Sequence, residues 1–400
     1  MKMSKLSCAM IACSLVGVGS LPARADDAAA APDAAAPTSN AMTLPAMGGA
    51  LTANANPASF AAGPLGKVYV TGVLSGLGLT QTGTVFGDQR SRADLSNGQV
   101  IVQTTEGLVQ FYAQAGGYSL PVLGTSYLQA SKMTNDTYGL VPVAFLKFAP
   151  SDSFSLMAGK LPTLIGTEGV FTYQNLNIER GLLWNQENVI NTGIQANYTA
   201  GPLALSAAVS NGFYSNSMNW ITGSATYTID PINSVSVQAG GATTQNLQNT
   251  FSTPVLLNNS DIYDFAYTYN NAPWTITPYL QYTTVAKNKA IGANADLSTF
   301  GGALLASYAF PEESLAGVSL PVRIEYISSS STTNGPNVLY GPSSNAWTFT
   351  VTPTYQKDIF FARAEASYVG VGGAPRGAAF GSNGNTTSQA RLMAEVGLLF

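Results

Sequence analysis

The sequence contains no histidine, and its only two cysteines, Cys8 and Cys13, stand near the amino terminus. Without histidine or cysteine further along, the usual metal ligands and general bases are missing, and Ser-His or Asp-His chemistry is excluded. Charge is scarce as well: 10% of residues are Asp, Glu, Lys or Arg, against about 25% in ordinary globular domains. Long apolar runs are absent after residue 25, and a membrane-crossing helix needs about 20 such residues. Any crossing of a membrane must therefore use strands. What the chain has in abundance is glycine, 40 residues, and aromatic rings, with 19 tyrosines and 17 phenylalanines.

Period-two alternation begins at Lys67 and continues to the end. In Ser388 to Phe400, one register holds Leu392, Ala394, Val396, Leu398 and Phe400, and the other holds Arg391, Met393, Glu395 and Gly397. Between Trp347 and Tyr355 every even position, Thr348, Thr350, Thr352 and Thr354, is threonine. Such alternation describes strands with a different solvent on each face. A soluble antiparallel sheet with an apolar core would alternate too. The number of these strands, with so few charges on their polar faces, favours lipid outside and water inside. About sixteen segments of barrel-crossing length follow one another, including 97 to 105, 107 to 117 and 345 to 356, which predicts an all-β transmembrane antiparallel barrel over 64–400.

The connections alternate between short and long. Short ones fall at Ala200 to Pro202, Asp230 to Ile232 and Lys357-Asp358, and long ones at 81 to 96, 118 to 137, 162 to 187 and 371 to 387. An even strand number with both termini on the short-turn side follows. Tyr198, Tyr269, Trp274, Phe310, Tyr355, Phe360 and Phe400 cluster near the short turns, where a membrane interface is expected. Pro278 and Pro353 interrupt two strands, because proline removes a ladder hydrogen bond.

At the start, Lys2 and Lys5 precede a mostly apolar Leu6 to Val18, and Ala23-Arg24-Ala25 supplies a cleavage site. Residues 1–25 read as an export signal. Met10-Ile11-Ala12 before Cys13 is a poor lipobox that leaves too short an apolar region, so a lipoprotein is the weaker reading. Removing Lys2, Lys5 and Arg24 leaves 14 basic against 21 acidic residues, which disfavours nucleic acid as a partner. Residues 26–63, rich in Ala and Pro, show no apolar periodicity and read as a flexible periplasmic segment. They are too short to form the plug of an energised transporter.

A last strand ending in Phe400 resembles the assembly signal of bacterial outer-membrane proteins. Gly159-Lys160-Leu161-Pro162 with Gly166 and Glu168, then Asn175, Arg180, Asn191-Thr192-Gly193-Ile194, Asn197-Tyr198 and Asn211-Gly212-Phe213 resemble the middle of the bacterial β-barrel porin family of the porin 2 type. Asn191 departs from the histidine that family members often carry there. The resemblance implies a Gram-negative outer-membrane barrel that passes small hydrophilic solutes and ions. Its implied partners are lipids and the barrel-assembly machinery, with a homotrimer by analogy alone. A non-conducting structural or adhesive barrel, working through its long Ser/Thr/Asn-rich loops, is the alternative.

The third long connection, 162 to 187, carries Glu168, Glu179, Arg180 and Glu187. By analogy with general porins it is expected to fold inward as a constriction. On the wall, alternation turns Arg323, Glu325, Arg363, Glu365, Arg391 and Glu395 to the lumen, since arginine facing lipid at the midplane costs roughly 2–4 kcal/mol. Two arrangements fit equally: each arginine pairs with the glutamate two residues away on its own face, or loop acids face wall arginines across the pore. The acid pairs Asp261/Asp264 and Glu312/Glu313 have structural readings, and no catalytic residue, metal site or cofactor is expected.

Overall fold

A computed structural model describes residues 49–330 and 339–400. The export signal and the first part of the 26–63 segment lie outside the described residues, as do residues 331–338. Sixteen strands cross the barrel. They are β1 Lys67–Gln81, β2 Ser91–Thr104, β3 Val109–Tyr118, β4 Val143–Ser151, β5 Phe154–Pro162, β6 Ile190–Ala200, β7 Leu203–Ser210 and β8 Trp220–Thr228. The second half comprises β9 Asn233–Ala242, β10 Asp261–Asn271, β11 Trp274–Val285, β12 Leu297–Ala309, β13 Val318–Ser329, β14 Asn345–Val351 with Thr354–Lys357, β15 Phe360–Gly372 and β16 Ser388–Leu399. Each pairs antiparallel with the next, and β16 closes the ring on β1 from Arg391 opposite Gln81 to Leu399 opposite Val73. Closure leaves no bare edge on the barrel.

The two prolines act as their missing N–H groups require. Pro353 splits β14, but its carbonyl still accepts the Ala364 N–H at 3.1 Å. At Pro278 the β10–β11 ladder skips two rungs, resuming at Ala266–Tyr279 and Tyr269–Ile276. Other boundaries moved more. The second strand begins at Ser91, well before the expected 97, because Ser91 to Leu95 continue the pairing with β1 past a bulge at Ser75/Gly76. The connection expected over 118–137 contains a short helix, Ala130–Asp136, which the strand pattern did not reveal.

Alternation sets the two faces of the wall. Leu280, Phe300, Ile324, Phe349 and Val396 are exposed on the outer face, while Gln281, Thr299, Arg323, Thr350 and Glu395 are buried on the inner one. Rings edge the outer band at both ends: Trp274 lies 4.7 Å from Tyr308 near the short turns, and Trp347 lies 5.1 Å from Tyr368 towards the long loops. If this band meets lipid, Leu280→Arg should lower the unfolding free energy in vesicles by about 2–4 kcal/mol. Ser236→Arg on the inner face should change it far less. Equal losses in a denaturant titration would mean that the faces are wrongly assigned.

The part of 26–63 that is described differs from a flexible linker. Ala58–Ala61 pairs with β1 from Ala58 opposite Val70 to Ala61 opposite Lys67, and Leu51 is buried. Backbone pairing and one apolar anchor hold a stretch whose composition alone suggested none.

Candidate functional site

The connection between Pro162 and Ile190 folds against the inner wall, with side chains and backbone making the contacts. Phe171 and Tyr173 pack in a cluster with Tyr112 and Tyr118 of β3, and Gln114 donates to the Tyr173 hydroxyl at 3.2 Å. Leu182 and Leu183 pack in a second cluster with Tyr279, Leu305 and Ile327, on β11, β12 and β13. The loop thus touches opposite arcs of the wall. Burying these apolar side chains contributes to the attraction, at about 25 cal/mol per Å².

Between these apolar ends lies the charged set. Arg323 of β13 reaches Glu168 Oε1 at 2.5 Å and donates to the Glu179 carbonyl at 2.7 Å. Its own Nε is 3.5 Å from Glu325 Oε2. Glu325 accepts the backbone N–H groups of Leu182 and Leu183 at 3.1 and 3.3 Å and the Thr348 hydroxyl at 2.8 Å. Arg363 pairs with Glu395, its cross-strand neighbour, and donates to the Asn175 carbonyl at 3.0 Å. Glu395 also accepts from Thr172 Oγ1 at 2.6 Å. Arg391 pairs with Glu179 of the loop and donates to Gln81 Oε1 and to the Thr125 carbonyl of the preceding outer loop. Glu365 accepts the N–H groups of Ile178 and Glu179 at 2.5 and 3.1 Å.

Eight of the ten charged residues expected at the site are therefore joined by ion pairs or hydrogen bonds, in a mixture of the two anticipated arrangements. Loop acids meet wall arginines at Glu168–Arg323 and Glu179–Arg391. The expectation that every arginine pairs with the glutamate two residues along its strand holds only loosely at Arg323–Glu325. Arg363 takes Glu395 instead, because the two stand opposite one another across the ladder. The six wall residues face inward but are at most 3% exposed, covered by the loop. Their charged groups bond to the loop or to one another, contacts that spacing along a strand could not reveal.

Two charged loop side chains lack such partners. Arg180 is fully buried over the Trp184 ring, 5.3 Å from its centroid, with no hydrogen bond to its guanidinium among the described residues. Burial lowers its pKa to about 10, partly offset by Glu168. Glu187 is buried with both oxygens unpaired among the described residues; burial and the like charge of Asp264 push its carboxyl well up. It lies against Gly166, where an added Cβ would fall 2.0 Å from Oε2 at a φ of +82°, so only glycine fits. Asp264 of β10 accepts the Gly166 N–H at 3.0 Å.

Sequence reasoning missed the neutral anchors. Asn177 donates to Thr352 at 2.7 Å, Gln281 to the Leu183 carbonyl at 3.0 Å, and Thr299 to Gln186 at 2.5 Å. The run of threonines on β14 was the available signal: Thr348, Thr350 and Thr352 are all fully buried beneath the loop.

Towards the short turns the opposite arc of the inner wall is less covered, although Thr222, Ser224 and Asp264 farther along the same strands are buried. Thr226 of β8, Ser234, Ser236 and Gln238 of β9, and Thr268 of β10 remain partly exposed, and Thr228 is exposed. Hydroxyl and amide groups dominate this surface.

Comparison with known proteins places these features in context. A sequence profile of the family described as "Putative beta-barrel porin-2, OmpL-like" matches residues 67–400. No curated protein sequence matches the chain. Among solved structures, the anion-selective porin from Comamonas acidovorans is similar at a TM-score of 0.58 and 12% identity, over 83% of this chain and 99% of that one. The outer-membrane channel DcaP of Acinetobacter baumannii gives 0.56 and 11%, over 86% and 100%. The trimer form of OmpT from Vibrio cholerae gives 0.54 and 10%, over 83% and 99%.

Proposed function

This chain belongs to the β-barrel porin-2, OmpL-like family and is a bacterial outer-membrane porin; from that premise we propose that small hydrophilic solutes diffuse passively along one side of its lumen. The loop 163–189 narrows the channel as a fixed partition, pinned by ion pairs. Solutes pass over the hydroxyl-lined arc of β8 to β10. The observation that carries this reading is the asymmetry of the inner wall: charged positions on β13, β15 and β16 are covered, while Thr226, Ser234 and Ser236 remain accessible. Because the covered charges are largely compensated in pairs, selectivity between anions and cations is weak. Family and fold are those of a non-enzymatic channel.

Assembly belongs to the same proposal. The terminal Phe400 addresses the chain to the barrel-assembly machinery, and three copies associate in the outer-membrane lipid, a reading supported by the OmpT trimer form among similar structures.

The test is ion selectivity in planar bilayers. Ser236→Asp should shift the reversal potential towards cations and Ser236→Trp should lower conductance. Glu179→Gln should leave the reversal potential nearly unchanged and increase open-channel noise instead. A larger selectivity shift from Glu179→Gln than from Ser236→Asp would place the solute path along the charged arc.

A further inference from the structure

A second element occupies the lumen, and it comes from the amino-terminal side of the chain. Ala58–Ala61 runs antiparallel to β1, with Ala58 paired higher on the wall than Ala61. The chain before Ala58 therefore descends to this strand from above. Leu51, 2% exposed, belongs to the same apolar cluster as Val73, Phe361 and Leu399 on the inner face of the closing strands and Tyr173 of the loop. Thr52 exchanges hydrogen bonds with the inward-facing Gln356 of β14: its N–H donates to Oε1 at 2.7 Å, and its carbonyl accepts from Nε2 at 2.8 Å. Gly49 lies so close to the loop that a Cβ there would fall 2.9 Å from the Asn175 carbonyl oxygen. That carbonyl also accepts from Arg363. The segment 49–57 thus extends from the periplasmic rim to the underside of the pinned loop.

We propose that residues 49–57 are a built-in periplasmic stopper, a part of the chain itself docked in the channel mouth, which lowers conductance until it is withdrawn. The attachment suits release. It rests on Leu51, on the small Ala50 packed against the second apolar cluster and on three hydrogen bonds between Thr52 and Gln356, and a lone buried leucine contributes only about 1.5–3 kcal/mol. The loop above is held by several buried ion pairs and stays in place when the stopper leaves. Because Ala58–Ala61 remains paired with β1, withdrawal needs movement only on the amino-terminal side of Ala58.

This inference rests on the porin reading, and the test separates the two. Single-channel conductance is measured for the full-length mature protein, for full-length Leu51→Asp, and for a variant lacking residues 26–56, each first shown to be folded by heat-modifiable migration. Both variants should conduct better than the parent, by about twofold or more, since conductance follows the open cross-section. A silent parent with conducting variants would support the stopper equally. Equal conductance in all three would overturn the stopper and leave the porin reading intact. Silence in all three would overturn both. Leu51→Asp guards against a deletion that fails to fold, because it changes one side chain outside the barrel ladder.

Discussion

Replacing Arg323 by methionine is expected to remove about 3–5 kcal/mol from the stability of the barrel, the cost of taking one partner from a buried ion pair. Arg323 is fully buried and serves four oxygens: Glu168 at 2.5 Å, the Glu179 carbonyl at 2.7 Å, and Glu325 and the Thr350 hydroxyl at 3.5 Å each. Methionine fills much of the volume but leaves two carboxylates without their cation. The loss should depend on pH in a defined sense. Burial already pushes the Glu168 carboxyl above its ordinary value, although Arg323 opposes it; without the guanidinium it rises further. A folded-state pKa above the unfolded one means that the folded state binds more protons as pH falls, so the variant should regain stability on acidification from about pH 8 to about pH 5. Urea unfolding followed by intrinsic fluorescence at the two pH values measures this. A loss under 1 kcal/mol, on the same scale that sets the cost of a broken buried pair, or one that grows on acidification, would contradict the role assigned to Arg323. Free of its main anchor, the loop should also give larger and noisier conductance steps.

Deleting Phe400 is expected to abolish most of the outer-membrane population while altering little in barrels that do complete. Its backbone finishes the closure of the ring: the Gly72 N–H donates to the Phe400 carbonyl at 2.6 Å and the Phe400 N–H donates back at 2.9 Å. Its ring lies on Gly72, where a Cβ would fall 2.6 Å from the ring carbon Cζ. Two rungs among the many of β16 with β1 matter little once the barrel is shut. They matter most when the last strand must find the first. Gly72→Val should mimic the deletion, because the branched side chain and the ring cannot share the space. Comparison of heat-modifiable protein in outer-membrane fractions with urea midpoints of purified variants separates assembly from stability. Unchanged membrane levels in both variants would remove the assembly role.

The barrel was legible because each strand carries its own evidence. Thr348, Thr350, Thr352 and Thr354 alternate with apolar residues, and nothing beyond the pattern is needed to place them on one face. The charged site was legible in membership, since a charge in a chain so poor in charges must face inward. Its pairing was not. Arg363 meets Glu395 through the β15–β16 register, and Arg391 meets Glu179 through the path of a loop; neither is set by local sequence. The burial of the wall residues was not legible for the same reason, because lumen-facing and water-facing are different properties once a loop lies over the wall. Leu51 was invisible in a different way. One leucine in an Ala/Pro-rich stretch has no periodicity, and only the tertiary cluster of Val73, Phe361 and Leu399 gives it a place. The helix Ala130–Asp136 is similar, too short to declare itself against the strands around it.

In the proposed function, solutes pass beside a loop pinned across the lumen. Planar-bilayer recording of the purified full-length protein, with and without residues 169–181 replaced by a short Gly/Ser bridge, tests it most directly. Reproducible single-channel steps are expected from the parent and clearly larger steps from the variant, both with weak ion selectivity. A parent and a variant that both leave the membrane sealed, or a variant whose steps match the parent's, would contradict it.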